Sequence, residues 1–255
     1  AHRLTLAGTD VLTARGADLA QLRGKAAAMI FQDPMTAFDP SFTLGHQIAE
    51  TIRAHRATLK AAARQEALGL LERVEIKNPA AVLDSYPHQL SGGMLQRAMI
   101  AMALSCRPKI LFADEPTTAL DVTVQAQILQ LIKDIQREFD MGLVMVTHDL
   151  GVIAETVDRV VVMYGGRVME QAPVQDLFDT PAHPYTVALL AAIPGRTAGR
   201  RRLIEIAGAS PNPSKPPTGC PFHARCPVVQ AKCSQETPPL RVVAPGRDIA
   251  CWRSP

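Results

Sequence analysis

The segment ILFADEPTTALD, from Ile110 to Asp121, decides how the rest of the chain is read. Four apolar residues end abruptly in Asp114 and Glu115. A short apolar run of this kind suits a strand buried on both faces. Two adjacent carboxylates at the end of a buried strand are costly unless a cation or a reaction needs them. Asp114, in line with the strand, could hold Mg²⁺ through water. Glu115, one residue on, points elsewhere and could polarise a nucleophilic water. The same pair could instead cap the segment that follows.

Three more runs resemble this one: AAAMIF (Ala26 to Phe31), GLVMVT (Gly142 to Thr147) and DRVVVMY (Asp158 to Tyr164). Helical patterns lie between them. Val124, Ile128, Leu131, Ile132, Ile135 and Phe139 recur at the spacing of a helix packed on one face, and Leu95, Ala98, Met99 and Met102 do so after Ser91. Leu44 to Arg56 and Lys60 to Val74 predict further helices, more exposed because richer in Arg, Gln and Glu. Strands alternating with helices predict an α/β fold around a mostly parallel sheet covered on both sides. Such sheets bind ligands beyond the carboxyl ends of their strands.

Three further signals lie at such ends or at a helix start. QLSGGMLQR (Gln89 to Arg97) puts Ser91, Gly92 and Gly93 ahead of an amphipathic helix. Free N–H groups and the helix dipole make an anion site there, although an ordinary Ser cap would read the same way. Gln32, in FQDPMTAFDP, follows the first apolar run; a neutral amide there can bind a metal or water and release it as a loop moves. His148, in VMVTHD, follows another run, where an imidazole can hydrogen-bond a terminal phosphate. Each signal taken singly has an ordinary structural reading.

In their order and spacing these elements resemble the nucleotide-binding subunits of ABC transporters. The resemblance rests on a glutamine loop at Gln32, the signature LSGGMLQR (Leu90 to Arg97), a Walker B strand ending at Asp114 beside Glu115, a D-loop at Ala119, Leu120 and Asp121, and a switch histidine, His148. Within the family, FQDPMTAFDP, YPHQLSGGMLQR, HPYTVALLAAIP and GCPFHARCP are similar to segments of the oligopeptide and dipeptide importer subunits. The resemblance implies an ABC-type P-loop NTPase sandwich with a helical subdomain at about 44–105, an ATPase domain over 1–194 and a C-terminal extension over 195–255. It implies ATP and Mg²⁺ as ligands and a head-to-tail dimer with a second ATPase subunit. Ser91, Gly92 and Gly93 would face the partner's ATP, Glu115 would act on the water, and His148 would bind the γ-phosphate. Asp114 and Gln32 would attend to Mg²⁺, with Asp121 at the nucleotide interface. Transmembrane permease subunits and, indirectly, an extracytoplasmic solute-binding protein would be partners, at the cytoplasmic face of a bacterial inner membrane. The competing functions are a non-transport ABC ATPase and a non-enzymatic remnant that binds a metal cluster.

One element of that family is missing from the 255 residues. A phosphate-cradling loop, G-x-x-x-x-G-K-[ST], should lie well before Gln32. Arg23-Gly24-Lys25-Ala26 offers a Gly-Lys without the earlier glycine or the later hydroxyl. With Ala1 as the first residue, the expectation is an N-terminally truncated chain. Alone it would have an exposed apolar sheet edge or face, poor solubility and little ATP turnover.

Composition agrees with a folded protein. Hydrophobic residues make up 47% and charged residues 20%, and the net charge of +3 excludes a dedicated nucleic-acid coat. No stretch of about 18 uncharged apolar residues occurs. From Gly208 onward lie 10 of the 20 prolines, and helical periodicity stops. That tail holds Cys220, Cys226, Cys233 and Cys251, spaced x5, x6 and x17; the fifth cysteine, Cys106, reads as core packing. The opening AHRLTLAGTD lacks a basic region followed by an apolar core, so a metal or cluster site is expected over disulfides. In the importer subfamily that the tail resembles, the four cysteines are associated with a 4Fe-4S cluster. Four thiolates also suit Zn²⁺, or no metal at all.

Overall fold

The computed structural model describes residues 3–193 and 205–253, which divide into two compact units, residues 1–148 and 149–255. In the first unit a two-residue hairpin, β1 (Thr5–Leu6) and β2 (Thr9–Asp10), leads into α1 (Ala17–Gln21) and β3 (Ala27–Ile30). Four helices follow: α2 (Leu44–His55), α3 (Lys60–Arg73), α4 (Pro79–Leu83) and α5 (Gly92–Leu104). Strand β4 (Ile110–Asp114), α6 (Val122–Phe139) and β5 (Gly142–Val146) complete the unit. These bounds lie within about two residues of the periodicity reading. The helix starts are legible because side chains cap them: Thr43 accepts from His46 N–H, Ser91 from Met94 N–H and Asp121 from Val124 N–H.

The three strands form a parallel sheet in the order β3-β4-β5, with Ile30 opposite Ala113 and Ala113 opposite Met145. One face is sealed. Ile30, Leu111 and Ala113 are fully buried in one core with Ile128 and Ile132 of α6 and Met99 of α5. The other face carries Met29, Val144 and Val146, exposed by 41%, 44% and 53%. These strands are therefore not buried on both faces as their apolar composition predicts. The apolar exposure expected of the sheet is present.

The second unit begins with α7 (Leu150–Thr156), β6 (Arg159–Tyr164), β7 (Arg167–Pro173), α8 (Val174–Asp179) and α9 (Pro184–Ala191). The cysteine-bearing tail adds α10 (Ala231–Gln235), β8 (Arg241–Ala244) and β9 (Arg247–Ile249). Its sheet is antiparallel, in the order β6-β7-β9-β8. Strand β6 alternates buried Val160, Val162 and Tyr164 with exposed Val161 and Met163, so it is half-buried rather than enclosed. The tail is also less irregular than its prolines suggest, because β9 pairs with β7 through Glu170–Ile249 and Gln171–Asp248. That pairing draws the tail and residues 149–193 into one unit. The boundary read at 194/195 lies outside the described residues. Among the described residues no helix is long and apolar enough to cross a membrane.

Candidate functional site

The carboxyl ends of β3, β4 and β5 lie side by side because the strands are parallel and in register. Gln32, Glu115 and His148 each follow one of these strands by one or two residues, so three residues far apart in sequence meet. Gln32 Nε2 donates to Glu115 Oε2 at 2.8 Å, and His148 Nδ1 lies 2.9 Å from Glu115 Oε1. Thr118 Oγ1 donates to the same Oε2 at 2.8 Å. The hydrogen bond with His148, followed by that from Thr118, holds the Glu115 carboxyl below the usual glutamate range. Glu115 therefore stays ionised at neutral pH. Its side chain is 23% exposed and that of His148 77%, so water reaches the pair.

Glu115 has a left-handed backbone, φ 44°, and Ala119 has φ 63°. For residues with a Cβ this conformation is held by its surroundings. Glu115 N–H donates to Val146 carbonyl at 2.8 Å, and Gln96 Nε2 to Pro116 carbonyl at 2.7 Å. The left-handed turn swings the Glu115 side chain out of the strand direction that Asp114 follows.

The other predicted residues fall at the edges of this cluster. Asp114 ends β4, opposite Val146. Asp121 uses one carboxylate oxygen to cap α6, accepting from Val124 N–H at 3.0 Å. Ser91 and Gly92 are exposed at the start of α5. A Cβ on Gly93 would come within 3.1 Å of Val124 Cγ1, so the glycine lets the start of α5 approach α6 closely. Gly24 and Lys25 lie in a kinked segment ahead of β3, not in a phosphate loop; a Cβ on Gly24 would stand 2.9 Å from His55 Nε2. Cys106 is buried just past α5, as its apolar setting implies.

Sequence reading quoted Gln96 and Thr118 within their motifs but gave neither a role. Gln96 carried a legible signal, being a polar side chain within the apolar face of α5 and only 2% exposed. Thr118 carried none beyond its place three residues after Glu115.

Oxygen donors suit Mg²⁺, and the residues present fit that ion. The Asp114 carboxylate and Gln32 Oε1 would hold it; Gln32 Nε2 already points to Glu115.

In the second unit all four tail cysteines line one small pocket with His183, Phe222 and Trp252. Burial pushes the Cys220 and Cys226 thiols up, and the neighbouring cysteines add to the effect. Arg253 N–H donates to Cys251 Sγ at 3.4 Å. A Cβ on Gly219 would clash with Cys233 carbonyl, so only glycine allows the backbone approach that brings Cys220 beside Cys233. Among the described residues no group of three or more His, Cys, Asp or Glu is arranged to hold a metal ion.

Comparison with known proteins gives the family. The ABC transporter family matches residues 2–118, and the oligopeptide/dipeptide transporter C-terminal region matches residues 169–233. A probable peptide ABC transporter ATP-binding protein, y4tR, of Sinorhizobium fredii is 50% identical over 97% of this chain and 74% of its own length. The dipeptide transport ATP-binding protein DppD of Escherichia coli is 47% identical over 98% of this chain and 77% of its own. Among solved structures, the dimeric post-hydrolysis state of the ATP-binding cassette MJ0796 bound to ADP and Pi is similar. It has a TM-score of 0.59 and 29% identity, over 66% of this chain and 72% of that one. The chain belongs to the ABC transporter family. Within it, the chain belongs to the ATP-binding proteins that carry the oligopeptide/dipeptide transporter C-terminal region.

Proposed function

We propose that this chain is the ATP-hydrolysing subunit of an ABC importer that couples ATP turnover to uptake of dipeptides or oligopeptides. The observation that carries the reading is the hydrogen-bonded set of Gln32, Glu115 and His148 at three adjacent strand ends. The substrate class follows from the likeness to dipeptide and oligopeptide transport ATP-binding proteins.

Glu115 is the general base or water-orienting residue. Its two oxygens offer about four lone-pair directions, and three are used by Gln32, Thr118 and His148, which leaves one for a nucleophilic water. His148 Nδ1 must carry a proton to donate to Glu115, so the ring can also donate from Nε2 to a phosphate oxygen only as imidazolium. Mg²⁺, when bound by Asp114 and Gln32, supplies charge neutralisation at the phosphates. Ser91, Gly92 and Gly93 present open N–H groups at the start of α5 and, in a head-to-tail dimer, meet the nucleotide of the second subunit. Permease subunits receive the resulting motion, and an extracytoplasmic solute-binding protein delivers the peptide. The chain then works at the cytoplasmic face of the inner membrane.

The four tail cysteines are read as ligands of an iron–sulfur cluster, a reading supported by the pocket they share. Cys220, Cys226, Cys233 and Cys251 would hold the cluster as thiolates.

The decisive test is Glu115→Gln in a polypeptide that carries a phosphate-binding loop ahead of residues 1–255. The amide keeps the shape and loses the base. ATP binding is expected to persist while turnover falls at least about 100-fold, the lower range for a general base. Turnover near the unmutated level would refute the role given to Glu115.

A further inference from the structure

Gln96 occupies a position that packing alone would give to an apolar residue. It lies between Leu95 and Ala98 on a helix whose inner face is otherwise hydrocarbon, and it is 2% exposed. A buried amide without a partner is costly, and this one has a specific partner: its Nε2 donates to Pro116 carbonyl at 2.7 Å, 20 residues away. Pro116 immediately follows Glu115, whose left-handed backbone needs external support. One helical turn before Gln96, the same helix begins at Ser91, Gly92 and Gly93. A single rigid turn of α5 therefore joins the residues offered to the second subunit's nucleotide and the peptide bond that aims the base of this subunit's own site.

We propose that Gln96 is a positioning residue that couples the two half-sites: displacement of the α5 start by the partner's nucleotide is transmitted through the Gln96–Pro116 hydrogen bond to the orientation of Glu115. The inference rests on the ATPase reading above and adds a residue whose side chain is buried and bonded to Pro116 carbonyl. Its physical basis is local. Moving α5 without Pro116 would orphan a buried donor and a buried carbonyl, so the two shift together.

The test uses Gln96→Met, which keeps length and volume and removes the donor; Gln96→Leu serves if methionine repacks poorly. The first readout is amide hydrogen exchange in residues 1–255. The Glu115, Thr118 and Leu120 N–H groups donate to Val146, Glu115 and Thr117 carbonyls, and their exchange reports on the loop. Exchange at these three is expected to rise about tenfold, while the interior of α6 is unchanged. The second readout is ATP kinetics in a polypeptide that also carries a phosphate-binding loop. There kcat is expected to fall about tenfold with KM for ATP within about twofold, the mark of a misplaced base rather than a lost binding contact. Loop exchange that stays within about twofold of the unmutated chain overturns the inference, whether or not turnover is present. So does an unchanged kcat in a polypeptide that hydrolyses ATP. Failure of the unmutated polypeptide to hydrolyse ATP counts instead against the functional reading, while the exchange result still decides the role of Gln96.

Discussion

Replacing Glu170 by alanine should destabilise the second unit more than almost any other polar substitution in it. Glu170 is fully buried on β7 and Arg247, on β9, is 13% exposed. Arg247 Nη2 donates to Glu170 Oε1 at 2.8 Å and Nε to the same oxygen at 3.3 Å. The carboxylate also accepts from His183 N–H at 2.8 Å and from Ala182 N–H at 3.1 Å, which places the start of α9. Truncation therefore does two things. It strips a buried guanidinium of its counter-charge, which costs about 3–5 kcal/mol. It also leaves two backbone donors without their acceptor, at about 1–3 kcal/mol each if no water enters. Partial hydration and the Arg247 contacts to Thr180 reduce the total, so the expected loss is about 4–6 kcal/mol, against about 5–15 for a whole domain. Glu170→Gln keeps one acceptor oxygen and should lose about half as much. Trp252, the only tryptophan of the chain, lies in this unit and reports its unfolding in urea. Adding Arg247→Met to Glu170→Ala should cost little more. A loss below about 1 kcal/mol for Glu170→Ala, or a coupling below about 0.5 kcal/mol in the double-mutant cycle, would refute the argument.

Other perturbations follow from the same geometry. Phe222 is 1% exposed and its ring lies 5.2 Å from Tyr185 and 5.4 Å from Tyr164, so Phe222→Ala should cost about 3–5 kcal/mol in the same urea assay. Burial pushes the His183 imidazole down to about 4, against about 6.5 unfolded. Between those values the unfolded chain binds the extra proton, so stability should fall by roughly 3 kcal/mol as pH drops from about 6.5 to about 4, then level off for this group. A flat urea midpoint across that window would contradict a neutral buried ring. Cys220→Ser should abolish the visible absorbance of anaerobically iron-reconstituted protein and leave ATP binding intact. Stoichiometric zinc in a colourless purified protein would replace the cluster reading.

Much of the fold was legible because period and capping are local. Val124 to Phe139 could pack in no other way than as a one-sided helix, and Ser91, Thr43 and Asp121 announce helix starts with side chains that reach only their own next turn. The site residues were legible for a related reason. Gln32, Glu115 and His148 each stand just past an apolar run, and a carboxylate or imidazole there is conspicuous. What local pattern could not say is that the three runs are neighbours in register, so that these side chains touch. Nor could it say that β6 pairs in an antiparallel sheet, or that β9 of a proline-rich tail pairs with β7. Strand partners are chosen by burial and hydrogen bonding summed over distant segments, and an apolar run carries no record of which edge it will meet. Gln96 shows the same division at the scale of one residue. The sequence by itself determined that an amide sits on an apolar helix face; only the tertiary structure decided that its partner is the carbonyl beside Glu115, because that carbonyl is brought there by a strand and a turn the helix does not contain.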